Sequence, residues 1–296
     1  MDISSFLIGY QVGQKGSGGS GGSGGGSLPP GVYLQHCGIT GPTGYRQAWF
    51  YLNGALYAQS LPTYGDGNKI TTYKWDGSAW TQVIAQVTWN ISSPSIKKCI
   101  EYNGKMHFLG SDRKEHYCWD GISADYTTLS LCPNYISSHF VHDGKLKAYS
   151  YADSNVYVWD ETTDTWTVEA NLGQSYTYYY FYVIGNDVIA AKFDSIFKYQ
   201  NGTLTEVAKI PSASTYYGTD GNYLYVGSNP EKGNSVLWRY SPTDNSIVTV
   251  GKIFAGTDIE YLCTLGGKLA YYQDCASKNG NGAALYYVNV INEATE

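Results

Sequence analysis

Charge is scarce in this chain. Only 15% of its residues are Asp, Glu, Lys or Arg, and the formal net charge is −6. Nothing basic clusters, so the electrostatic footprint of a nucleic-acid binder is missing. No apolar run approaches the roughly 20 residues that cross a bilayer, which argues against membrane insertion. The six cysteines (Cys37, Cys99, Cys118, Cys132, Cys263, Cys275) form no C-x-x-C pair and no regular framework. They read as reduced core residues, with a Cys37–Cys263 or Cys37–Cys275 contact left open. No G-x-S-x-G, Walker or G-x-G-x-x-G element lies at a strand–helix junction, so neither cofactor nor catalytic machinery is expected.

What the chain has in excess is tyrosine, with 30 residues. Tyr176, Tyr178, Tyr179, Tyr180 and Tyr182 fall within one short run. Tyrosine offers rigid contact area with a polar tip, which suits interfaces and sugar platforms. The simpler reading is that tyrosine fits pleated, half-buried strands.

The sequence is organised around Tyr73–Trp80, which reads Tyr-Lys-Trp-Asp-Gly-Ser-Ala-Trp. It returns as Tyr157-Val158-Trp159-Asp160 with Trp166 following, as Tyr117-Cys118-Trp119-Asp120-Gly121, and more weakly around Phe197–Gly202 and Trp238–Pro242. Aromatics two residues apart share one face of a strand, and the turn residues after them start a second strand. A second marker precedes each copy: Asn53-Gly54, Asn103-Gly104, Asp143-Gly144, Gly185-Asn186, Asp220-Gly221 and Gly266-Gly267, each followed closely by an apolar residue. Such pairs are strong hairpin signals because positive φ is required at their centre. The copies recur at intervals of about 35–50 residues, the period of propeller blades. The reading is all-β, with six blades spanning residues 31–296 and the strand Val32–Gln35 closing the last blade. Closure matters because an open ring leaves an unpaired edge.

These repeats resemble those of kelch-type β-propellers, through the turn-Gly-x-apolar strand, the Tyr-x-Trp-Asp strand and the later Trp. The kelch Gly-Gly pair is absent, with Leu109-Gly110, Tyr149-Ser150 and Gly227-Ser228 in its place. The resemblance implies a binding scaffold for proteins or sugars, with enzymes a minority. It also implies a structural role for His139. Trp75, Trp119, Trp159 and Trp238 are expected to be largely buried at the seams between blades.

Residues 1–15 are of another kind. Phe6, Leu7, Ile8, Tyr10 and Val12 give an apolar surface, and Gly9 and Gly13 sit four apart, where another backbone can approach. With no basic start and no small-x-small site, a signal peptide fits poorly. The segment reads as a docking peptide. Residues 16–30 are a linker, Gly/Ser-rich and ending in Leu28-Pro29-Pro30. That composition is shared by natural tethers and by laboratory fusions. The stretch Ser5-Phe6-Leu7-Ile8-Gly9-Tyr10 before a Gly-rich spacer is similar to the start of small virion structural proteins of phages and prophages of Gram-positive gut bacteria. The resemblance implies a virion component of capsid, collar or tail, present in many copies. It would be assembled in the host cytoplasm, dock on virion proteins through Met1–Lys15 and display the propeller outward. The alternative is a host-receptor or carbohydrate-binding module, and lesser ones are a glycosidase or an adaptor.

The loops Leu61–Lys69, Asn229–Asn234 and Asp274–Ala283 take equivalent places in their repeats and are expected on one face. Tyr64, Asp66, Glu231, Lys232, Asp274 and Lys278 are its candidate ligand residues. A glycosidase needs two carboxylates at a set separation, yet Asp112, Glu115, Asp153, Glu231 and Asp274 read as solvated loop charges. The sialidase-type Ser-x-Asp-x-Gly-x-Thr-Trp box is absent. One cluster is rich in metal-ligand types: Cys99, His107, His116, Cys118, Cys132, His139 and His142. His116 and Cys118 share a strand face, as zinc would need. The rest are expected on different strands pointing different ways, so no metal is expected.

Overall fold

The computed structural model describes residues 31–42, 45–61, 69–88, 99–109, 114–173, 176–211, 216–227, 235–253, 261–273 and 284–291. The docking peptide and linker (1–30) lie outside the described residues. So do Tyr64, Asp66, Glu231, Lys232, Asp274 and Lys278.

All regular structure among the described residues is strand. After β1 (Gly31–Thr40) come β2–β5 (Tyr45–Leu52, Ala55–Leu61, Lys69–Trp75, Trp80–Thr88) and β6–β9 (Cys99–Tyr102, Lys105–Leu109, His116–Trp119, Thr127–Leu129). These are followed by β10–β13 (Ile136–His142, Lys145–Ser150, Asn155–Asp160, Thr165–Asn171) and β14–β17 (Tyr180–Ile184, Asp187–Lys192, Ser195–Gln200, Thr203–Lys209). The last are β18–β21 (Tyr216–Thr219, Leu224–Gly227, Ser235–Tyr240, Ile247–Ile253) and β22–β24 (Tyr261–Leu265, Lys268–Gln273, Ala284–Ile291). Five runs of consecutive strands make four-stranded antiparallel sheets, and a sixth sheet has the order β1-β24-β23-β22. The innermost strands β2, β6, β10, β14, β18 and β22 each touch the next, and β22 touches β2. The sheets therefore form a closed ring, a β-propeller.

β1 is the outermost strand of the sixth sheet, with Gly31 opposite Ile291 and a register shift before Thr40. It starts one residue before Val32 and runs five residues past Gln35. Pairing removes the exposed edge that β24 would otherwise offer to a second chain.

Turn chemistry explains the register. Asn53 and Gly54 have φ of 51° and 74°, and Asn103-Gly104, Asp143-Gly144 and Gly266-Gly267 show the same pair of positive angles. These are type I′ turns, whose twist matches the strands they join. Gly185 has φ of 59° and its neighbour Asn186 has no positive φ, as a type II′ turn requires. Asp220-Gly221 departs from the expected two-residue turn. β18 ends at Thr219 and β19 starts at Leu224. The Asp220 carboxylate accepts from the amides of Asn222 and Tyr223, both at 2.9 Å, and this Asx turn lengthens the loop.

The Trp-Asp motif also has a local cause. Asp76 Oδ1 accepts from the amides of Ser78 (2.8 Å) and Ala79 (2.7 Å), Asp120 Oδ1 from Ile122 and Ser123, and Asp160 Oδ1 from Thr162 and Thr163. Those amide bonds hold the Asp76, Asp120 and Asp160 carboxyls below the usual carboxylate range. The preceding indole joins in: Trp119 Nε1 donates to the Ser123 carbonyl at 2.8 Å, and Trp159 Nε1 to Asp164 Oδ1 at 3.1 Å.

Each of these indoles faces the preceding sheet. Trp119 is 2% exposed and meets Tyr57 edge-on at 5.0 Å. Trp159 (4% exposed) lies against His107 and His116, and Trp238 (5%) packs with Ile184 and Ile189. Trp75 corrects the expectation, because it is only partly buried. Three indoles share its seam. Trp49 takes the enclosed position, Trp80 meets it at 5.3 Å, and Trp75 sits on the far side of Trp80 at 5.2 Å.

Candidate functional site

Topology sorts the connections onto two faces. In the five sheets built from consecutive strands the turns between first and second and between third and fourth strands lie on one face, and the turn from β22 to β23 joins them. The strand ends that lead from second to third strands, and from sheet to sheet, lie on the other. The strand ends that carry the three long loops of the sequence therefore share this second face, here the loop face. Gly31 pairs beside Ile291, which places the start of β1 on the tight-turn face, at the outer rim.

The innermost strands enclose an axial channel of about 410 Å³. All six sheets contribute, including Trp49 and Tyr51, Ile100 and Glu101, Ser138 and Phe140, Tyr180 and Tyr182, Tyr217 and Thr264. Most polar groups there stitch sheets together. Ser138 Oγ accepts from the Phe181 amide at 3.0 Å. Thr264 Oγ1 accepts from the Thr219 amide and donates to its carbonyl, both at 2.9 Å. The Tyr182 hydroxyl donates to the Tyr217 carbonyl at 3.3 Å. Groups held this way tie each sheet to its neighbour and rigidify the ring.

The histidine cluster corrects the sequence reading. His107 and His116 of the second sheet and His139 of the third converge on one seam. His107 Nδ1 lies 2.8 Å from His116 Nε2, the His116 and His139 ring centres are 5.9 Å apart, and Trp159 and Trp166 cover them. Repeat spacing alone does not say which faces of neighbouring sheets meet, which is why the sequence scattered these rings. Burial pushes His107 down to about 4 and His139 to about 3, and it also drives His116 well below the usual imidazole range. The neighbouring rings add to this at His116, while Glu161 partly offsets it at His107. The cluster is thus neutral at physiological pH. Cys118 and Cys132 are buried, and burial raises the Cys118 thiol above its usual range. Among the described residues no group of three or more His, Cys, Asp or Glu is arranged to hold a metal ion.

Of the carboxylates considered for hydrolysis, Asp112, Glu231 and Asp274 lie outside the described residues. Asp153 is described and occupied. Its carboxylate accepts from the Tyr157 hydroxyl (2.5 Å), Asn134 Nδ2 (3.1 Å) and the Asn155 amide (3.1 Å). Burial raises the Asp153 carboxyl, but bonds from Tyr157, Ser150 and Asn134 outweigh it and hold the group below its usual range. A carboxylate held ionised in this way orients neighbours and is a poor proton donor.

The feature that sequence reasoning missed lies beside Asp153 on the loop face. Tyr151 stacks on Tyr178 with centroids 4.2 Å apart, and Tyr135 follows Tyr151 at 6.1 Å. Tyr135 and Tyr178 are exposed. Tyr176, 79% exposed, adopts φ of 61°, and its amide donates to the Tyr151 carbonyl at 2.6 Å. The dense run of tyrosines after residue 175 was the available signal.

No protein-family profile matches the chain, and no curated protein matches it. Solved structures do. The chain is 12% identical to a structural-genomics protein of unknown function from Bacteroides thetaiotaomicron, with a TM-score of 0.59 over 88% of this chain and 76% of that one. It is 11% identical to a catalytically inactive virginiamycin B lyase from Staphylococcus aureus solved with quinupristin, at a TM-score of 0.55 over 88% and 99%. It is 12% identical to the extracellular domain of a hybrid two-component system from B. thetaiotaomicron, at a TM-score of 0.52 over 90% of this chain. There it spans 35%, about a third, of the other chain's length. At such identity the likeness defines the class by fold, a β-propeller, and nothing finer.

Proposed function

We propose that this chain is a structural or decoration component of a bacteriophage virion, with Met1–Lys15 docked on virion proteins and a passive, non-enzymatic propeller held outward. The supporting observation is where the chain enters the ring. Gly31 begins the outermost strand of its sheet, on the tight-turn face. A tether from that corner holds the propeller by its rim and leaves the channel and the loop face clear. The kelch-like character of the repeats fits a binding scaffold of this kind. In an assembly of many copies, weak contacts made by the free face would gain from avidity. Propellers with different roles share this fold, so the fold selects no reaction. The test is deletion of residues 1–15 in the native source. The truncated protein should fold, with an unchanged far-ultraviolet spectrum, and be lost from particles. Assembly of the truncated protein at normal copy number overturns the proposal.

A second reading, recognition of a host surface by the loop face, is favoured by the exposed tyrosines there, and it is compatible with the first.

A further inference from the structure

We infer that the tyrosine ledge formed by Tyr135, Tyr151 and Tyr178, with Tyr176 beside it, is a binding site for a neutral glycan. The inference deepens the host-surface reading and is independent of the virion one, so failure here leaves the docking test untouched.

The ledge is built by three connections that the propeller topology brings to one face. Tyr135 precedes β10, Tyr151 follows β11, and Tyr176 and Tyr178 precede β14. Tyr151 and Tyr178 stack face to face with centres 4.2 Å apart, and Tyr135 follows Tyr151 at 6.1 Å with its ring tilted, so the three rings form one aromatic stack whose exposed members are Tyr135 and Tyr178. The exposed outer side of such a stack can receive the C–H face of a pyranose ring.

Stacking alone would suit many ligands. The polar groups alongside narrow the choice. Asn134 donates to Asp153, Asp153 accepts from Asn155 and Tyr157, and Asn171 Nδ2 donates to Asn155 Oδ1 at 2.6 Å and to the Asp153 carbonyl at 3.0 Å. This chain of planar amides and one carboxylate is partly exposed and is fixed by its own hydrogen bonds. Asn134 uses one N–H on Asp153 and one lone pair on the Tyr135 amide, which leaves it one donor and one acceptor position for sugar hydroxyls, which both donate and accept. Lys114 Nζ lies 4.8 Å from the Tyr135 ring centre. Among the described residues the hydrogen-bonded and cation–ring contacts of the ledge bring one cation, Lys114, and one carboxylate, Asp153, with no excess of positive charge to attract a polyanion, and a neutral glycan is the committed ligand.

Backbone geometry gives independent support. A bulky non-glycine residue at positive φ is uncommon and marks a constrained, often functional, position. Tyr176 is held there by its amide bond to the Tyr151 carbonyl, and this presents its ring to solvent.

The test uses the full chain on an array of neutral and acidic glycans and on proline-rich peptides, which also favour tyrosine ledges. Hits are followed by saturation-transfer NMR. Neutral oligosaccharides should be retained, with transfer from tyrosine ring protons. Tyr178→Ala should weaken binding by about tenfold, in line with one lost aromatic stacking contact, while Tyr178→Phe should stay near wild type. Asn134→Ala should weaken binding without altering the near-ultraviolet spectrum, which guards against a misfolded alanine variant. Absence of any glycan binding at millimolar concentration, binding indifferent to Tyr178→Ala, or retention of proline-rich peptides alone would overturn the inference.

Discussion

The buried histidines make the propeller acid-sensitive in a defined window. In the unfolded chain each imidazole titrates near its ordinary value of about 6.5. In the fold, burial keeps His107, His116 and His139 neutral, with His107 protonating only at about 4 and His139 at about 3. Below pH 6.5 the unfolded chain therefore binds more protons than the folded one, and stability is lost as the pH is lowered. The loss continues until pH drops through the folded-state values. At pH 5 each neutral histidine forfeits about 2 kcal/mol, and the three together about 6 kcal/mol. That is comparable with the whole stability of many domains, about 5–15 kcal/mol. The turn aspartates, held low by backbone amides, lose their contribution only at more acid pH, so the windows separate. The assay is urea unfolding followed by tryptophan fluorescence at several pH values between 7.5 and 5, with Trp159 and Trp166 reporting on the seam. His139→Phe sharpens the test. Neither His139 nitrogen has a hydrogen-bond partner, and its ring lies parallel to Trp166. An apolar ring should be close to neutral at pH 7.5 and should remove about a third of the pH dependence. An unfolding midpoint that stays flat from pH 7.5 to 5, or a full slope in His139→Phe, refutes the reasoning.

Other outcomes follow from packing. Trp159→Ala removes an indole enclosed by His107, His116 and Trp166 and should cost about 3–5 kcal/mol in chemical denaturation; a loss below 1 kcal/mol would mean the seam collapses freely. Gly266→Ala places a Cβ 2.9 Å from the Tyr51 ring at a φ of +57°, and should destabilise by about 1–2 kcal/mol, measured as a shift in urea midpoint. Removing residues 1–40 deletes β1 along with the tether and exposes the β24 edge. That variant should self-associate in sedimentation, whereas deletion of residues 1–15 should leave a monodisperse propeller.

Much of the fold could be read from short signals. Asn53-Gly54 and its equivalents mark hairpins because their φ values exclude most residues. Trp159-Asp160 marks another because the carboxylate closes the turn while the indole fills the seam. Both act within a few residues, so periodicity exposes them. The seams themselves were harder. His107, His116 and His139 meet only because neighbouring sheets face each other, and Trp75 is displaced outward because Trp49 already fills its seam. The tyrosine run shows the same limit. Tyr179 and Phe181 are buried while Tyr176 and Tyr178, on the approach to β14, are exposed. Composition treats them alike, and what separates core from ledge is the alternation of sides along the chain, which buries Tyr179 and Phe181 and turns Tyr178 outward.

The most direct test of the virion proposal is cross-linking mass spectrometry on native source material, reading partners of Met1 and Lys15. The account predicts cross-links to capsid, portal, collar or tail proteins at positions that place the docking peptide on the particle. Cross-links confined to the propeller of the same chain would contradict it, and the loop face would then become the sole candidate for function.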